Sequence, residues 1–93
     1  MEKDYVKITL RSGKDVKLPR YYKAKVGERG CLQYVRIKGA LACYLLPITA
    51  MLGTIPANSL TPYDAEHAEA ITREEWEAQV EAALKRQHDL YVL

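Results

Sequence analysis

The chain has little of the chemistry that marks most specialised sites. Its 93 residues contain no phenylalanine, one tryptophan and only two cysteines, Cys31 and Cys43. Two cysteines are too few for a disulfide framework, which indicates a reducing setting. The first residues also lack the pattern of a secretory signal peptide. We therefore expect a cytoplasmic protein.

Charge is missing from the middle of the chain, since residues 39–63 contain no Asp, Glu, Lys or Arg. A membrane-spanning helix would need about 20 predominantly apolar residues in succession. This segment is interrupted by Pro47, Gly53, Pro56, Asn58, Ser59 and Pro62. We predict that the chain does not span a membrane.

Motifs for catalysis, metals and nucleotides are also missing. Four residues could ligate zinc: Cys31, Cys43, His67 and His88. They lack the paired short spacings of structural zinc sites, and neither cysteine lies in a recognisable catalytic pattern. Three acidic residues, Asp64, Glu66 and Glu69, lack the spacing of a calcium loop and are interpreted as a solvated segment before the helix. No glycine-rich phosphate loop is present. We predict no catalytic residue, no metal and no cofactor.

Alternating apolar and polar residues predict a first hairpin from residues 5–10 and 15–18, with Ser12-Gly13 in the turn. The register that keeps the apolar side chains on one face sets Leu10 opposite Val16 and Ile8 opposite Leu18.

A second hairpin is predicted from residues 31–38 and 41–46, with Gly39 in a tight turn. Its register sets Ile37 opposite Ala42 and Val35 opposite Tyr44, giving an apolar face that we expect to lie toward the helix.

The connecting segments give weaker patterns. Pro19 suits a helix start and Gly27 a helix end, which predicts a short helix over residues 20–26 and a turn over residues 27–30. Residues 48–52 are interpreted as a further strand or a helical turn. Residues 53–63 have the composition of a surface loop.

A C-terminal helix over residues 72–88 is predicted by three local signals. Thr72 is an N-cap, Glu75 completes a capping box, and Ile71 can pack against Trp76 as a hydrophobic staple. One buried stripe follows helical spacing: Trp76, Val80, Ala83 and Leu84.

These elements predict an α+β fold in a single domain, residues 1–93. An antiparallel sheet of about four strands, formed by two hairpins, is packed by the C-terminal helix. The β-rich part covers residues 1–52, a loop covers residues 53–70, and the helix follows.

The charges are unevenly distributed. Residues 1–39 carry 11 basic and 4 acidic residues, whereas residues 40–93 carry 3 and 8, so +7 and −5 make the net +2. Cations bind phosphates and tyrosine rings can stack on bases. The candidate nucleic-acid-binding residues are Lys14, Lys17, Arg20, Tyr21, Tyr22, Lys23, Lys25, Arg29, Arg36 and Lys38.

Two other interpretations remain open. The basic part can simply be neutralised by the acidic helix. The chain can also be a protein-interaction module, an inhibitor or an oligomerising subunit, that uses the uncharged segment or an exposed sheet edge.

Residues 16–26, with the sequence VKLPRYYKAKV, resemble a segment of the replication initiators of small single-stranded DNA phages. The resemblance covers 11 of 93 residues. Those initiators carry a paired-histidine metal motif, which this chain lacks, so nicking activity is not implied. The resemblance implies an accessory protein of a phage or mobile element.

Overall fold

The computed structural model describes residues 5–26 and 30–91 of the chain. Within them it has seven strands and two α-helices. In chain order these are β1 (Tyr5–Thr9), β2 (Asp15–Pro19), β3 (Tyr21–Val26), β4 (Cys31–Lys38), β5 (Leu41–Leu46), β6 (Met51–Pro56), α1 (Pro62–His67), β7 (Glu69–Ala70) and α2 (Arg73–Tyr91), with a 3-10 turn at Ala57–Ser59 after β6. The α+β class and the helix on an antiparallel sheet are confirmed, whereas the prediction of about four strands is wrong.

The strands form two antiparallel sheets. β1 and β2 make a two-stranded ribbon, and the other five strands pair in the order β6-β5-β4-β3-β7. The second predicted hairpin is confirmed in register, with Ile37 opposite Ala42 and Val35 opposite Tyr44. Gly39 permits its two-residue turn because the backbone there has a φ of 60°, which other residues rarely adopt.

Both faces of the five-stranded sheet are covered. On the face that we call the hairpin face, Val35, Ile37 and Ala42 pack with the apolar side of the β1–β2 ribbon. On the opposite face, the helix face, Tyr34 and Leu45 pack with α2. The prediction that Val35 and Ile37 face the C-terminal helix is therefore wrong, because the ribbon forms a separate layer and takes that face for itself.

The first hairpin has a longer loop than predicted. Ile8 lies opposite Val16 and Val6 opposite Leu18, a shift of two residues from the predicted register. Leu10 instead belongs to the loop, where its N–H donates to the carbonyl oxygen of Lys14 at 2.8 Å. A shift of two residues leaves every side chain on its original face, so the apolar residues that were predicted to be buried still lie on the buried side of the hairpin.

The predicted short helix over residues 20–26 is wrong, because that segment is the strand β3. All six of its residues pair with β4, from Tyr21 opposite Arg36 to Val26 opposite Cys31. The ladder with a neighbouring strand outweighs the local start and stop signals of Pro19 and Gly27. The predicted turn lies largely outside the described residues, since residues 27–29 are not among them.

The predicted loop over residues 53–63 is also wrong, since this stretch contains most of β6, the 3-10 turn and the start of α1. Gly53 belongs to β6 and lies opposite Tyr44. A Cβ atom at Gly53 would lie 2.4 Å from the Tyr44 ring, so the missing side chain makes room for that ring. α1 is capped by Thr61 and Asp64, which form a capping box.

The predicted start of the C-terminal helix is confirmed, and the helix runs three residues further than predicted. The Glu75 N–H donates to Thr72 Oγ1 at 3.0 Å, and Trp76 is only 3% exposed. Leu84 is 51% exposed, so its assignment to the buried stripe is wrong. The side of the helix that faces the sheet continues instead to Gln87, whose side chain donates to the carbonyl oxygen of Ala50.

None of the described helices combines the length and the apolar character that a membrane crossing needs.

Candidate nucleic-acid interface

The ten candidate residues do not form one surface. Lys14 and Lys17 lie on the β1–β2 ribbon, Arg20 connects the two sheets, Lys38 ends β4, and Arg29 lies outside the described residues. Tyr21, Lys23, Lys25 and Arg36 alternate with hairpin-face residues and so lie on the helix face. Tyr22 is in the core. The fold therefore divides a contiguous basic sequence between two opposite sides of a sheet.

Tyr22 offers no ring face to a base, because it is completely buried. Its hydroxyl has no hydrogen-bond partner among the described residues. Burial, followed by the charge of Asp64, raises the pKa of the Tyr22 phenol far above its ordinary value. Asp64, interpreted from the sequence as solvated, is itself buried and accepts hydrogen bonds from the N–H and hydroxyl of Thr61 at 2.9 and 3.0 Å.

We expect Tyr22→Phe to raise the free energy of unfolding by about 1 kcal/mol, because it removes a buried hydroxyl without a partner and keeps the ring. The raised pKa in the folded state means that the wild type loses stability as the pH rises above 10.0, the ordinary value for tyrosine. The variant lacks this contribution, so its advantage grows above that pH. Urea unfolding at pH 7 and pH 10.5 measures both effects, and a less stable variant at both values would contradict the assignment.

Two cations of the helix face, Lys23 and Arg36, contact side chains of other elements. Lys23 Nζ lies 3.9 Å from carboxylate oxygens of both Glu69 and Glu75. The Arg36 guanidinium lies 5.9 Å from the centre of the Trp76 ring. The acidic start of α2 therefore neutralises part of the basic sequence, as one of the open interpretations from the sequence expects.

Lys25 lies on β3, in the part of that strand that extends past its pairing with the short strand β7. It lines a cavity of about 420 Å³ together with Lys23 and residues of α1. The hydroxyl of Tyr63 donates to the carbonyl oxygen of Lys25 at 2.8 Å, and the Tyr63 ring stacks on His67 at 3.9 Å between ring centres. Tyr63 thus occupies a backbone acceptor that a further strand would otherwise use.

The outer side of the β1–β2 ribbon is different, because it faces away from the five-stranded sheet. We call it the ribbon face, and it consists of the exposed residues Tyr5, Lys7, Thr9, Asp15 and Lys17 with the loop residues Arg11 and Lys14. Four of these residues are basic and one is acidic. The surface is strongly positive and lies on the side of the sheet opposite to the acidic helix.

Lys7 and Lys17 lie directly opposite each other on this face. Like charges in this position repel each other and destabilise a sheet. Lys7 Nζ lies 3.5 Å from an Asp15 oxygen, and the Thr9 hydroxyl donates to the same carboxylate at 2.6 Å. That hydrogen bond, followed by the charge of Lys7, lowers the pKa of Asp15. Lys17, Lys14 and Arg11 have no ion-pair partner within 4 Å among the described residues.

The candidate set from the sequence omits Tyr5, Lys7 and Arg11. The sequence contains a signal for two of them, because the alternation of residues 5–9 places Tyr5 and Lys7 on the polar side of the strand. The pairing of that strand with β2 then brings Lys7 beside Lys17. Counting basic residues along the chain, rather than across the hairpin, misses this arrangement.

No protein-family model matches the chain, and no curated protein or solved structure matches it either. Among the described residues, no three His, Cys, Asp or Glu side chains come together in a group that could hold a metal ion. The function is therefore inferred from the surfaces of the molecule and from the resemblance of residues 16–26.

Proposed function

We propose that this protein is a non-enzymatic accessory protein that contacts nucleic acid through the ribbon face. The observation that carries the proposal is the exposed pair of Lys7 and Lys17, directly opposite each other on a ribbon that has four basic residues and one acidic residue. A phosphate between the two ammonium groups relieves their repulsion and releases counterions from the nucleic acid.

The shape of the ribbon suits this role. A two-stranded ribbon can enter the major groove of duplex DNA, and the exposed ring of Tyr5 can stack on an unpaired base. The ribbon face has no Asn or Gln, whose amides read adenine in the groove. We therefore expect contacts mainly to the phosphate backbone and no readout of adenine through side-chain amides.

The resemblance of residues 16–26 to phage replication initiators supports the further proposal of a phage or mobile-element origin. That segment runs from β2 of the ribbon into β3. Of its basic residues, Lys17 lies on the ribbon face and Arg20 lies in the connection from β2 to β3. The origin rests on this resemblance alone.

The proposal predicts that Lys17→Glu weakens nucleic-acid binding, whereas Lys85→Glu does not. Both residues are exposed and both substitutions change the net charge by the same amount, but Lys85 lies on α2. We expect Lys17→Glu to lower affinity at low salt by at least about tenfold, and to reduce the slope of log affinity against log salt by about 1. Fluorescence anisotropy with labelled single-stranded and duplex DNA at several salt concentrations measures both quantities.

Two outcomes overturn this proposal. One is the absence of binding by the wild type even in dilute buffer. The other is an equal loss of affinity in the Lys17→Glu and Lys85→Glu variants, which would indicate that only net charge matters. Circular dichroism of each variant verifies that the fold is retained.

A role in protein interaction is the second candidate, and a specific observation favours it. β6 forms one edge of the five-stranded sheet and has no charged residue. Large apolar side chains are exposed near both of its ends, namely Leu41, Ile48 and Met51. This surface is on another part of the molecule from the ribbon face, so the two roles do not exclude each other.

A further inference from the structure

The outer edge of β6 can accept another strand. No described strand pairs with it. The Ala57 N–H donates to the carbonyl oxygen of Ala40 at 2.8 Å, in line with the β5–β6 register. Because hydrogen-bonded pairs alternate along an antiparallel ladder, the backbone groups of Leu52 and Thr54 point away from β5. Natural edge strands often carry charges that discourage pairing, and β6 has none.

A groove leads from this edge into the helix face. Arg36, Cys43 and Thr54 lie opposite one another on β4, β5 and β6, so they form one row across the sheet. Cys43 and Thr54 have short side chains and leave space between the sheet and the helix. The resulting cavity is about 270 Å³ and is also lined by Trp76 and Val80 of α2.

Arg36, at the inner end of this groove, has no carboxylate partner among the described residues. Its Nε is shielded from solvent and makes no hydrogen bond to them, and its guanidinium lies over the Trp76 ring. A partly buried cation without a carboxylate is unfavourable compared with the same cation in an ion pair. The groove therefore fits a negatively charged group that enters from the β6 edge.

We propose that β6 binds an extended peptide segment of a partner protein by strand addition, and that an acidic side chain of this segment enters the groove to pair with Arg36. A partner residue opposite Thr54 would have its side chain on the same face as Arg36. Three strand spacings of about 4.8 Å, about 14 Å in all, separate the two backbones, so the glutamate and arginine side chains meet when both extend along the groove. The backbone supplies affinity, and the carboxylate supplies specificity.

The probe is a synthetic peptide, acetyl-VTETV-amide, whose glutamate and two valines share one face when extended. Its matched control is acetyl-VTQTV-amide, which has the same shape without the charge. Binding is followed by two-dimensional ¹H–¹⁵N NMR of the labelled full chain. We expect the amide signals of β6 to shift, and the glutamate peptide to bind at least about tenfold more tightly than the glutamine peptide.

Three variants separate the backbone contribution from the charge. Thr54→Pro removes an outward N–H without removing a bond to β5, so it abolishes binding of both peptides. Thr54→Val keeps that N–H and retains binding. Arg36→Gln removes the preference for glutamate while leaving weak binding of either peptide. The NMR spectrum of each free variant confirms that it is folded.

Several results would overturn the proposal. These are equal affinity for the two peptides, undiminished binding by Thr54→Pro, or no shift of the β6 signals at millimolar peptide. A concentration-dependent dimer that Thr54→Pro dissociates would show instead that a second copy of the chain occupies the edge. DNA binding by the ribbon face is unaffected in all three variants, so the two proposals fail or survive separately.

Discussion

Trp76→Ala is expected to lower the free energy of unfolding by about 3 to 5 kcal/mol, which is the usual cost of replacing a buried tryptophan. Trp76 is 3% exposed and lies in the cluster that joins α2 to Tyr34 and Leu45 of the sheet. Its removal leaves a cavity beneath the helix and takes away the ring on which Arg36 rests. Small domains are stabilised by only about 5 to 15 kcal/mol, so the variant is at best marginally folded.

Leu84→Ala on the same helix is the matched control, because Leu84 is half exposed. We expect it to change the free energy of unfolding by no more than about 0.5 kcal/mol. Thermal and urea unfolding of both variants measure the difference. A wild-type melting temperature for Trp76→Ala, or an equal loss in Leu84→Ala, would show that α2 docks through a different face.

Leu18→Ala is expected to lower the free energy of unfolding by about 2 to 5 kcal/mol. Leu18 is completely buried and belongs to the cluster between the ribbon and the hairpin face. The control is Leu41→Ala, since Leu41 is 53% exposed at the start of β5. If Leu18→Ala proves as stable as the control, the ribbon does not pack on the sheet as described.

Together the two large substitutions test whether the chain is a single domain. Trp76 and Leu18 belong to different clusters on opposite faces of the same five-stranded sheet. If the sheet couples the clusters, each substitution shifts one common unfolding transition. Two separate transitions, each sensitive to only one of the substitutions, would contradict the prediction of one domain.

Local signals allowed the sequence to predict some elements closely. The start of α2 depends on Thr72 and on residues within one helical turn of it, and its cap hydrogen bond is present. The second hairpin depends on Gly39, which fixes a two-residue turn and with it the register of both strands. In both cases the deciding contacts are made by residues close together in the sequence.

Elements that depend on distant partners were predicted wrongly. β3 carries helix-like end signals, and only its pairing with β4 and β7 makes it a strand. Gly53 resembles a loop residue until Tyr44 is seen to occupy the space above it. The separation of the ribbon from the main sheet has no local signal, so the number of sheets and the face that α2 covers could not be predicted.

The candidate site was predicted only in part, because its geometry also depends on residues that are distant in the sequence. A basic stretch with tyrosines is visible in the composition, but a strand sends neighbouring residues to opposite faces. Tyr22 consequently enters the core while Lys23 pairs with α2. The basic residues that stay exposed lie on the ribbon face, where Lys17 is opposite Lys7. The predicted register of this hairpin differs from the observed one by two residues, so it did not place these two lysines opposite each other.

Mapping a single-stranded DNA oligonucleotide on the ¹⁵N-labelled protein tests the proposed interface most directly. At low salt, we predict that the NMR signals of β1, β2 and the loop that contains Lys14 shift and broaden. The signals of α2 and of Lys23 remain unchanged, because the carboxylates of Glu69 and Glu75 lie beside the Lys23 ammonium group. Shifts confined to the helix face, or no shifts at any oligonucleotide concentration, would contradict the assignment of the ribbon face as the nucleic-acid contact.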